Sequence, residues 1–183
     1  MENNLRISQR ANKEKFKKFL LGLGKSSQDT FNHFGIINKK TVNNIVKREL
    51  SRKDKIKFYT YVDNKLIGYS FLTKFEKIQK KHNCILGIVV LDLFQNKGFG
   101  KKICKHMIKT AWKKGLTKIW LNVFYDNVNA FNLYKSLGFE IEGVFLNDEI
   151  QNKKNRHVVS MAILKNRTYD LNYRVKLCNK FKK

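Results

Sequence analysis

A short stretch rich in glycine and lysine, FQNKGFGKK from Phe94 to Lys102, contains the residues whose types and spacing most clearly suggest a chemical function. It lies between an apolar run, CILGIVVL, and a segment with helical spacing. Glycine lets the backbone turn tightly, so that successive N–H groups can point into one small space. The first N–H groups of a helix lack partners within it, and the helix dipole adds partial positive charge. The stretch therefore predicts an anion site, with phosphate as the first candidate ligand.

Two common phosphate-binding motifs do not fit the chain. The dinucleotide fingerprint GxGxxG needs a small third residue where Ile103 stands, and an acidic residue about 20 positions further on. The ATP-binding motif GxxxxGK[ST] is approached by GLGKS, from Gly22 to Ser26, but Phe19 occupies the position of its first glycine. A predicted helix also precedes GLGKS, where that motif requires a strand. Both interpretations are therefore rejected.

The elements that must position the glycine turn can be predicted from hydrophobic spacing. Before the turn, the pattern predicts a strand at residues 5–9, helices around residues 13–23 and 40–50, a hairpin at residues 58–72 and a strand at residues 84–91. After it, the pattern predicts a helix from residue 98 to 115, a strand at 118–124, a helix from 126 to 138, and strands at 139–146 and 157–164. Strands on both sides of a helix with so little loop imply a right-handed parallel crossover. The fold class is therefore α/β with a mixed sheet.

Two motifs in this region resemble those of one enzyme superfamily. The pattern Gln95-x-x-Gly98-x-Gly100 is similar to Q/R-x-x-G-x-G/A, the acetyl-CoA signature of the GNAT superfamily of N-acetyltransferases. NVNAFNLYKSLGF, from Asn127 to Phe139, resembles N-x-x-A-x-x-L-Y-x-x-x-G-F of the same superfamily. The resemblance implies a mixed, mainly antiparallel central sheet flanked by helices, with a splayed parallel pair of central strands. It also implies one acetyltransferase domain at residues 1–165, followed by a basic tail or extra helix at 166–183.

The resemblance further implies that acetyl-CoA is the cosubstrate and that no metal is needed. Backbone N–H groups of the turn would wrap the pyrophosphate, while the side chains of Gln95 and Lys97 reach outward. A side chain at Gly98 or Gly100 would occupy the space of the anion. The pantetheine arm would enter the gap between the strands at residues 86–91 and 118–124. The coenzyme-binding residues implied are Leu91, Gln95, Asn96, Lys97, Gly98, Phe99, Gly100, Lys101, Asn127 and Tyr134.

Roles in catalysis follow from the same resemblance. The backbone N–H of Val90 is expected to stabilise the oxyanion that forms on the thioester carbonyl. Tyr134 stands where the family keeps its general acid, although its helical face is apolar enough for an ordinary core tyrosine. Asn127 could contact the coenzyme, cap its helix, or do both. Cys104 lies on a predicted buried face, so we interpret it as a core residue and expect direct acetyl transfer in a ternary complex.

The general base is less clearly indicated. Many family members carry a glutamate on the central strand, whereas CILGIVV has no carboxylate. A primary amine with a pKa near ~10.4 is protonated at neutral pH, so a group must accept its proton. Asp92, Glu76 and Glu142 are near enough in the predicted topology. The segment NRHVVSMAI resembles a closing strand that carries aspartate in many relatives, and here His157 takes that place and could serve as the base. At the start of a strand it could equally be a surface residue.

Composition limits the partners. The net charge is +25, but the chain is rich in Lys, Asn and Ile and has no proline, as expected of a genome poor in G and C. Nucleic acid is therefore a possible but not favoured partner. No apolar run approaches the ~20 residues of a membrane span, and no signal peptide is evident, so a cytoplasmic protein without a membrane partner is expected. Cys84, Cys104 and Cys178 suggest neither disulfides nor a zinc site.

The acceptor is predicted only as a class. The positive charge should repel polyamines and aminoglycosides and would suit an amine attached to an anionic group, such as a nucleotide-linked amino sugar. That acceptor or another small amine is favoured, with a protein amine next. Ribosomal-protein acetylation ranks lower, because LNVFYDN and LNDEIQN lack the arginine and tyrosine pair expected of such enzymes. The alternative function is a catalytically inactive GNAT-like module that binds RNA or a protein partner. Either a monomer or a homodimer is compatible with the sequence.

Overall fold

Seven strands and five helices form the part of the chain that the computed structural model describes, residues 4–31, 33–151 and 153–166. The strands are β1 (Leu5–Ser8), β2 (Lys55–Val62), β3 (Lys65–Lys74), β4 (Asn83–Val90), β5 (Lys118–Phe124), β6 (Glu140–Gln151) and β7 (Lys154–Leu164). The helices are α1 (Lys13–Leu21), α2 (Lys25–Thr30), α3 (Val42–Ser51), α4 (Phe99–Lys113) and α5 (Val128–Ser136). The tail was predicted at residues 166–183, and residues 167–183 lie outside the described residues.

All of these strands join one sheet in the order β1-β2-β3-β4-β5-β7-β6. Every neighbouring pair is antiparallel except β4 and β5, which are parallel. The predicted fold class, a mixed and mainly antiparallel sheet flanked by helices, is therefore confirmed. Among the described residues, no helix is long and apolar enough to cross a membrane.

The parallel strands β4 and β5 separate along their length. Their pairing covers three positions and ends at Ile85 opposite Trp120. Beyond that point β4 continues to pair with β3 as far as Val90, and β5 continues to pair with β7 as far as Phe124. Each of the two strands thus keeps its outer neighbour while its inner edge opens. The predicted splayed pair is confirmed, and the gap between the strands becomes available to a ligand.

Two apolar clusters pack on the two faces of the sheet. One lies beneath α4 and α5 and includes fully buried Phe58, Ile103 and Met107. The other lies beneath α1 and α3 and includes fully buried Phe16 and Leu20. Leucine, phenylalanine and methionine side chains of this kind each contribute roughly 1.5–3 kcal/mol when fully removed from water. The clusters hold the helices against the sheet, so the open gap has rigid walls.

Two elements differ from the predicted pattern. Helix α2 occupies residues 25–30, where the sequence predicted no element. Strand β6 extends to Gln151, beyond the predicted limit at residue 146. Both have weak hydrophobic signals: α2 has one buried residue, Ser27, and most of β6 is exposed. Apolar periodicity could not reveal either element, because polar contacts and strand pairing determine them.

A charged cluster is buried between α3 and strands β2 and β3. Glu49 is fully buried and its Oε2 lies 2.9 Å from Nζ of Lys55, whose side chain is 1% exposed. The hydroxyl of Tyr69 donates to the same Oε2 at 3.0 Å, and Nε2 of His33 lies 3.3 Å from Oε1. Burial raises the pKa of Glu49, but hydrogen bonds from His33 and Lys55 and the charge of Lys55 outweigh it, so that the pKa falls to about 2. The cluster therefore fixes the ionised carboxylate beneath one end of the gap.

Candidate active site

A cleft of about 740 Å³ occupies the gap between β4 and β5. The diverging strands line its middle, the glycine turn and α5 line it on one face of the sheet, and α2 with the residues that follow it line it on the other face. The residues with polar side chains that line it are Ser26, Ser27, Thr30, His33, Gln95, Asn96, Lys101, Asn122, Asn127, Asn129, Tyr134 and Glu149. The cleft thus joins a predicted anion site to a separate polar end that could receive a second substrate.

The backbone of Val90 faces this gap. Leu91 donates its N–H to the carbonyl of Ile67 on β3 at 2.8 Å, so the N–H of Leu91 lies on the β3 edge of the strand. Successive residues in a strand direct their N–H and C=O groups to alternate edges, and therefore both groups of Val90 lie on the opposite, open edge. The carbonyl of Val90 accepts a bond there from Nε2 of Gln95 at 3.0 Å. The N–H of Val90 is thus directed into the cleft, as the predicted oxyanion donor must be.

The glycine turn presents backbone N–H groups at the start of α4. Asn96 and Gly98 have positive φ values, 57° and 79°. Gln95 donates its N–H to the carbonyl of Asp92 at 3.1 Å, and Lys102 donates its own to the carbonyl of Gly98 at 3.2 Å. The N–H groups of residues 96–101 lie between these two bonded positions, at the positive end of the helix dipole. Left-handed residues within such a run form the concave arrangement that binds anions.

The two glycines of the turn have different roles. A Cβ on Gly98 would meet nothing within 4 Å, so the space in front of it is open, and its positive φ disfavours any side chain. A Cβ on Gly100 would lie 3.1 Å from Cδ2 of Leu133 on α5. The sequence predicted that both glycines leave room for the anion. The structure supports that reason for Gly98, whereas Gly100 allows α4 and α5 to pack closely.

Side chains of the turn point in different directions. Gln95 directs its amide to Val90 and to Oγ of Ser27, at 3.0 and 2.8 Å, and so does not reach outward as predicted. Lys97 is exposed, and its Nζ lies 5.7 Å from the ring centroid of Phe94. Lys101 lines the cleft from the first turn of α4. Lys101 and the backbone, rather than the Gln95 side chain, therefore offer positive charge to an anion.

Tyr134 lines the cleft from α5 and is 7% exposed. Its ring packs 5.7 Å from that of Phe139, so the apolar face predicted for this helix is present. Burial, with a smaller contribution from Cys104, raises the pKa of the Tyr134 phenol well above its ordinary value. The phenol therefore stays protonated at neutral pH, which is the state that a proton donor requires.

Asn127 and Cys104 occupy the positions that their sequence contexts suggest. The side-chain oxygen of Asn127 accepts a bond from the N–H of Ala130 at 3.2 Å, which makes it the N-cap of α5, and the residue also lines the cleft. Cys104 is fully buried, and burial raises the pKa of its thiol to about 12. The structure thus confirms the capping interpretation of Asn127 and the core position of Cys104.

The candidate bases are dispersed. Nδ1 of His157 accepts a bond from the N–H of Asn147 at 3.0 Å, and the residue is not among those that line the cleft. Glu142 pairs with Lys118 at 2.7 Å, and Asp92 accepts a bond from the hydroxyl of Ser27. Glu76 is exposed in the loop before the short 3-10 turn at Ile78–Lys80. These groups are therefore not brought together at the gap.

Two titratable residues that sequence reasoning did not select line the cleft on the side of α2. Glu149, on β6, is half-buried and is the one carboxylate among the described residues that form the lining. His33 contributes the edge of the charged cluster of Glu49, and its ring lies 4.6 Å from that of Phe71. Glu149 lies in the polar stretch LNDEIQN, which carries no periodic signal, so only the pairing of β6 with β7 could reveal its position.

This fold and cleft define a class of protein, an α/β protein with a glycine turn at the start of a helix, beside a splayed sheet. Residues 27–139 match the sequence profile of the Acetyltransferase (GNAT) family, and this match covers more than half of the chain. The chain therefore belongs to the GNAT family.

Several named relatives are similar over part of the sequence. An L-amino acid N-acetyltransferase of Escherichia coli is 31% identical over 84 residues, 45% of this chain and 51% of the relative. The ribosomal protein bS18-alanine N-acetyltransferase of E. coli is 36% identical over 55 residues, 30% of this chain and 37% of the relative. A spermine/spermidine N(1)-acetyltransferase of Bacillus subtilis is 31% identical over 90 residues, 45% of this chain and 58% of the relative. The matched regions thus span between 37% and 58% of the relatives' length.

Solved structures share the fold across nearly all of the chain. Spermidine N-acetyltransferase from Vibrio cholerae, solved in complex with CoA and spermine, superposes with a TM-score of 0.75 at 20% identity and covers 88% of this chain and 95% of that one. A GNAT family acetyltransferase from Streptococcus pneumoniae gives 0.71 at 22% identity, covering 88% and 99%. At these identities the comparison establishes the fold.

Proposed function

We propose that this protein is an N-acetyltransferase that moves an acetyl group from acetyl-CoA directly to a primary amine within a ternary complex. The observation that carries the proposal is the open inner edge of β4, where the N–H of Val90 faces a cleft that begins at an anion-binding turn. A transferase that uses a thioester needs these two features in one continuous cavity, because it must hold a phosphate group and polarise a carbonyl at a distance from it. Membership of the GNAT family supports the same reaction.

The turn and the gap suit the two ends of acetyl-CoA. The N–H groups of residues 96–101 can hold the pyrophosphate, with Lys97 and Lys101 supplying charge. The inner edge of β4, up to Leu91, offers backbone groups to the pantetheine arm. Asn127 lines the same wall. The absence of a side chain at Gly98 leaves the space that the phosphates require.

Different groups of the chain would carry out the separate steps of acetyl transfer. The N–H of Val90 stabilises the negative charge that develops on the thioester oxygen as the amine nitrogen bonds to the carbonyl carbon. When the carbon–sulfur bond breaks, the phenol of Tyr134 donates its proton to the departing thiolate. The nitrogen loses one proton to a base, so the products are an amide and a thiol. The deep burial of Cys104 supports this direct route over one through an acetylated cysteine.

For the base we propose Glu149, with His157 retained as the alternative that the sequence indicates. Glu149 lines the cleft on the side of α2, because Arg156, its partner across β6 and β7, bonds to the carbonyl of Asp29. If the acceptor amine enters on this side, the carboxylate can take its proton directly or through water. His157 contacts the N–H of Asn147 through Nδ1, and only its other nitrogen could act. The position of Glu149 supplies the carboxylate that β4 lacks.

The cleft also bears on the acceptor. The amine-entry end carries Glu149 and the hydroxyls of Ser26 and Thr30, and the one lysine that lines the described cleft, Lys101, lies at the coenzyme end. An amine with an attached phosphate would therefore place negative charge beside a carboxylate. We favour a compact amine without an anionic group over a nucleotide-linked amino sugar. The three relatives' names, which specify an amino acid, a protein alanine and polyamines, are compatible with amines of this kind.

The experiment is an acceptor screen with acetyl-CoA, in which the released thiol is measured. The panel should contain L-amino acids, spermidine, a peptide with an N-terminal alanine and a nucleotide-linked amino sugar, at low and high salt. Turnover of an uncharged or cationic amine above that of the amino-sugar nucleotide at both salt concentrations is expected. Preference for the nucleotide at both would contradict the proposed acceptor class, and no turnover by protein that binds acetyl-CoA would favour the inactive binding module.

A further inference from the structure

The glutamine of the coenzyme signature is part of a hydrogen-bonded chain that leaves the turn. One N–H of the Gln95 amide can bond to the carbonyl of Val90 at 3.0 Å and the other to Oγ of Ser27 at 2.8 Å. The hydroxyl of Ser27 in turn bonds to the carboxylate of Asp92. Ser27 is 1% exposed, so this chain is enclosed at its centre. The amide of Gln95 therefore has both of its hydrogens directed to protein acceptors.

The splayed sheet explains why such a chain is needed. The pairing of β4 with β5 ends at Ile85, so the carbonyl of Val90 on the open edge has no partner on β5. A buried carbonyl without a hydrogen bond costs free energy comparable with a lost bond. Gln95 satisfies this carbonyl from the adjacent turn, and it does so without entering the space beside the N–H of Val90.

The same chain fixes the wall on the acceptor side. Helix α2 has only six residues and one buried side chain, Ser27, so apolar burial contributes little to its position. A Cβ on Gly24, just before α2, would collide with the carboxylate of Asp92, which shows how closely the two segments pack. The C-terminal half of the segment has other contacts, since Arg156 donates to the carbonyl of Asp29 at 3.1 Å and the ring of Phe31 packs 5.4 Å from that of Phe34. Ser27 therefore ties the N-terminal half of α2, including the cleft residue Ser26, to the turn.

We propose that Gln95 and Ser27 are positioning residues, which tie the acceptor-side wall to the β4 edge that polarises the thioester. The Gln95 side chain thus acts as a strut between the turn and α2 and not as a ligand of the coenzyme phosphates. The role in catalysis rests on the proposed acetyltransferase function, whereas the structural tie between α2 and the turn does not. Removing the strut should impair the use of the acceptor while leaving the affinity for the coenzyme largely intact.

The test compares Gln95→Met, Ser27→Ala and the double variant. Methionine keeps the length of the side chain without its donors, and alanine removes only a hydroxyl. Titration calorimetry gives the Kd for CoA, and deuterium exchange reports on the amides of residues 25–30 in the free protein. Steady-state assays give KM and kcat for the amine of the acceptor screen that turns over fastest. Asp92→Asn, which keeps an oxygen acceptor for Ser27, is the conservative variant and should restore much of what Asp92→Ala loses.

We expect both single variants to exchange faster in α2 and to lower kcat/KM for the acceptor about tenfold, the effect of one hydrogen bond of roughly 1.4 kcal/mol. The double variant should be no worse than the poorer single one, because the residues belong to one network. A CoA affinity that falls tenfold in Gln95→Met, with exchange in α2 unchanged, would overturn the strut. If wild type failed to bind CoA, the proposed function would fail, and the exchange data alone would decide whether α2 is tied to the turn.

Discussion

Leu91 donates its N–H to the carbonyl of Ile67 at 2.8 Å, and this bond determines which backbone groups of β4 face the cleft. It places the N–H of Val90 on the open edge, where it belongs to no ladder. Proline is tolerated in strands where the N–H is not needed for pairing. Val90→Pro should therefore keep the fold, shown by an unchanged circular dichroism spectrum, and lower kcat by about 10²–10³-fold through loss of the oxyanion donor.

The neighbouring position provides the control for this prediction. The N–H of Val89 lies on the β3 edge, in register with Tyr69, so Val89→Pro removes a ladder bond. We expect that variant to be strongly destabilised in thermal unfolding. Full activity of a folded Val90→Pro protein would show that another group stabilises the oxyanion.

Tyr134→Phe tests the general acid. Removing one hydroxyl leaves the apolar contacts with Phe139 in place, so the Tm should change little. The kcat should fall by about 10²–10⁴-fold, because the thiolate must then leave without a positioned proton. Calorimetric titration with CoA should give an unchanged Kd. If Tyr134→Phe instead lowered the Tm and left kcat unchanged, Tyr134 would be a core residue without a role in catalysis.

The base is tested by Glu149→Gln beside His157→Gln. We expect the first variant to lower kcat/KM by about 10²–10⁴-fold, the contribution typical of a general base, and the second to retain it. Glu142→Gln is a matched control, since Glu142 lies on the same strand but pairs with Lys118 outside the cleft. The opposite result, with activity lost only in His157→Gln, would assign the base as the sequence first indicated.

The buried charged cluster predicts how stability depends on pH. The folded-state pKa of Glu49 is lowered to about 2 by hydrogen bonds from His33 and Lys55 that outweigh its burial. A lowered pKa means that its contribution to stability is complete above the unfolded value of 4.5 and is lost as the pH falls toward 2. Urea unfolding between pH 6 and pH 3 should show the free energy of unfolding decline. The decline should be smaller in Glu49→Gln, because the contribution of the ionised carboxylate is then absent at every pH.

The same variant should also be less stable at neutral pH. Glu49→Gln leaves Lys55 buried without its counter-charge, and breaking a buried pair in this way typically costs about 3–5 kcal/mol. Glu14→Gln, at an exposed position in the first turn of α1, is the control and should change the unfolding free energy little. Equal stability of the two variants at pH 7 would show that the buried pair contributes nothing net.

Local rules in the sequence predicted much of the fold. The helix α4 follows from apolar residues at spacings of three and four, and the turn between β2 and β3 follows from Asp63 and Asn64, which both adopt positive φ. Residues within α5 were placed by the motif that begins at Asn127. Each of these features depends on neighbours in the chain, and the amino-acid pattern alone therefore specifies it.

The parts that escaped prediction depend on contacts between distant segments. Glu149 reaches the cleft only because β6 pairs with β7, and β7 with β5. The Gln95 side chain bonds to the carbonyl of Val90, which the splay leaves without a strand partner, and to Ser27. Ser27 and Gln95 are 68 residues apart in the sequence. No local spacing encodes either relationship. The acceptor end of the site is accordingly the part that sequence patterns predicted least.

The central claim, that the glycine turn and the gap hold acetyl-CoA, is tested most directly by calorimetric titration of Gly98→Trp beside Gly115→Trp. Both glycines flank α4, both have positive φ, and a Cβ on either would meet nothing within 4 Å, so the two substitutions impose similar backbone strain. We predict micromolar binding by wild type and by Gly115→Trp, and none by Gly98→Trp. Equal affinity in the two variants, or no binding by folded wild-type protein, would contradict the account.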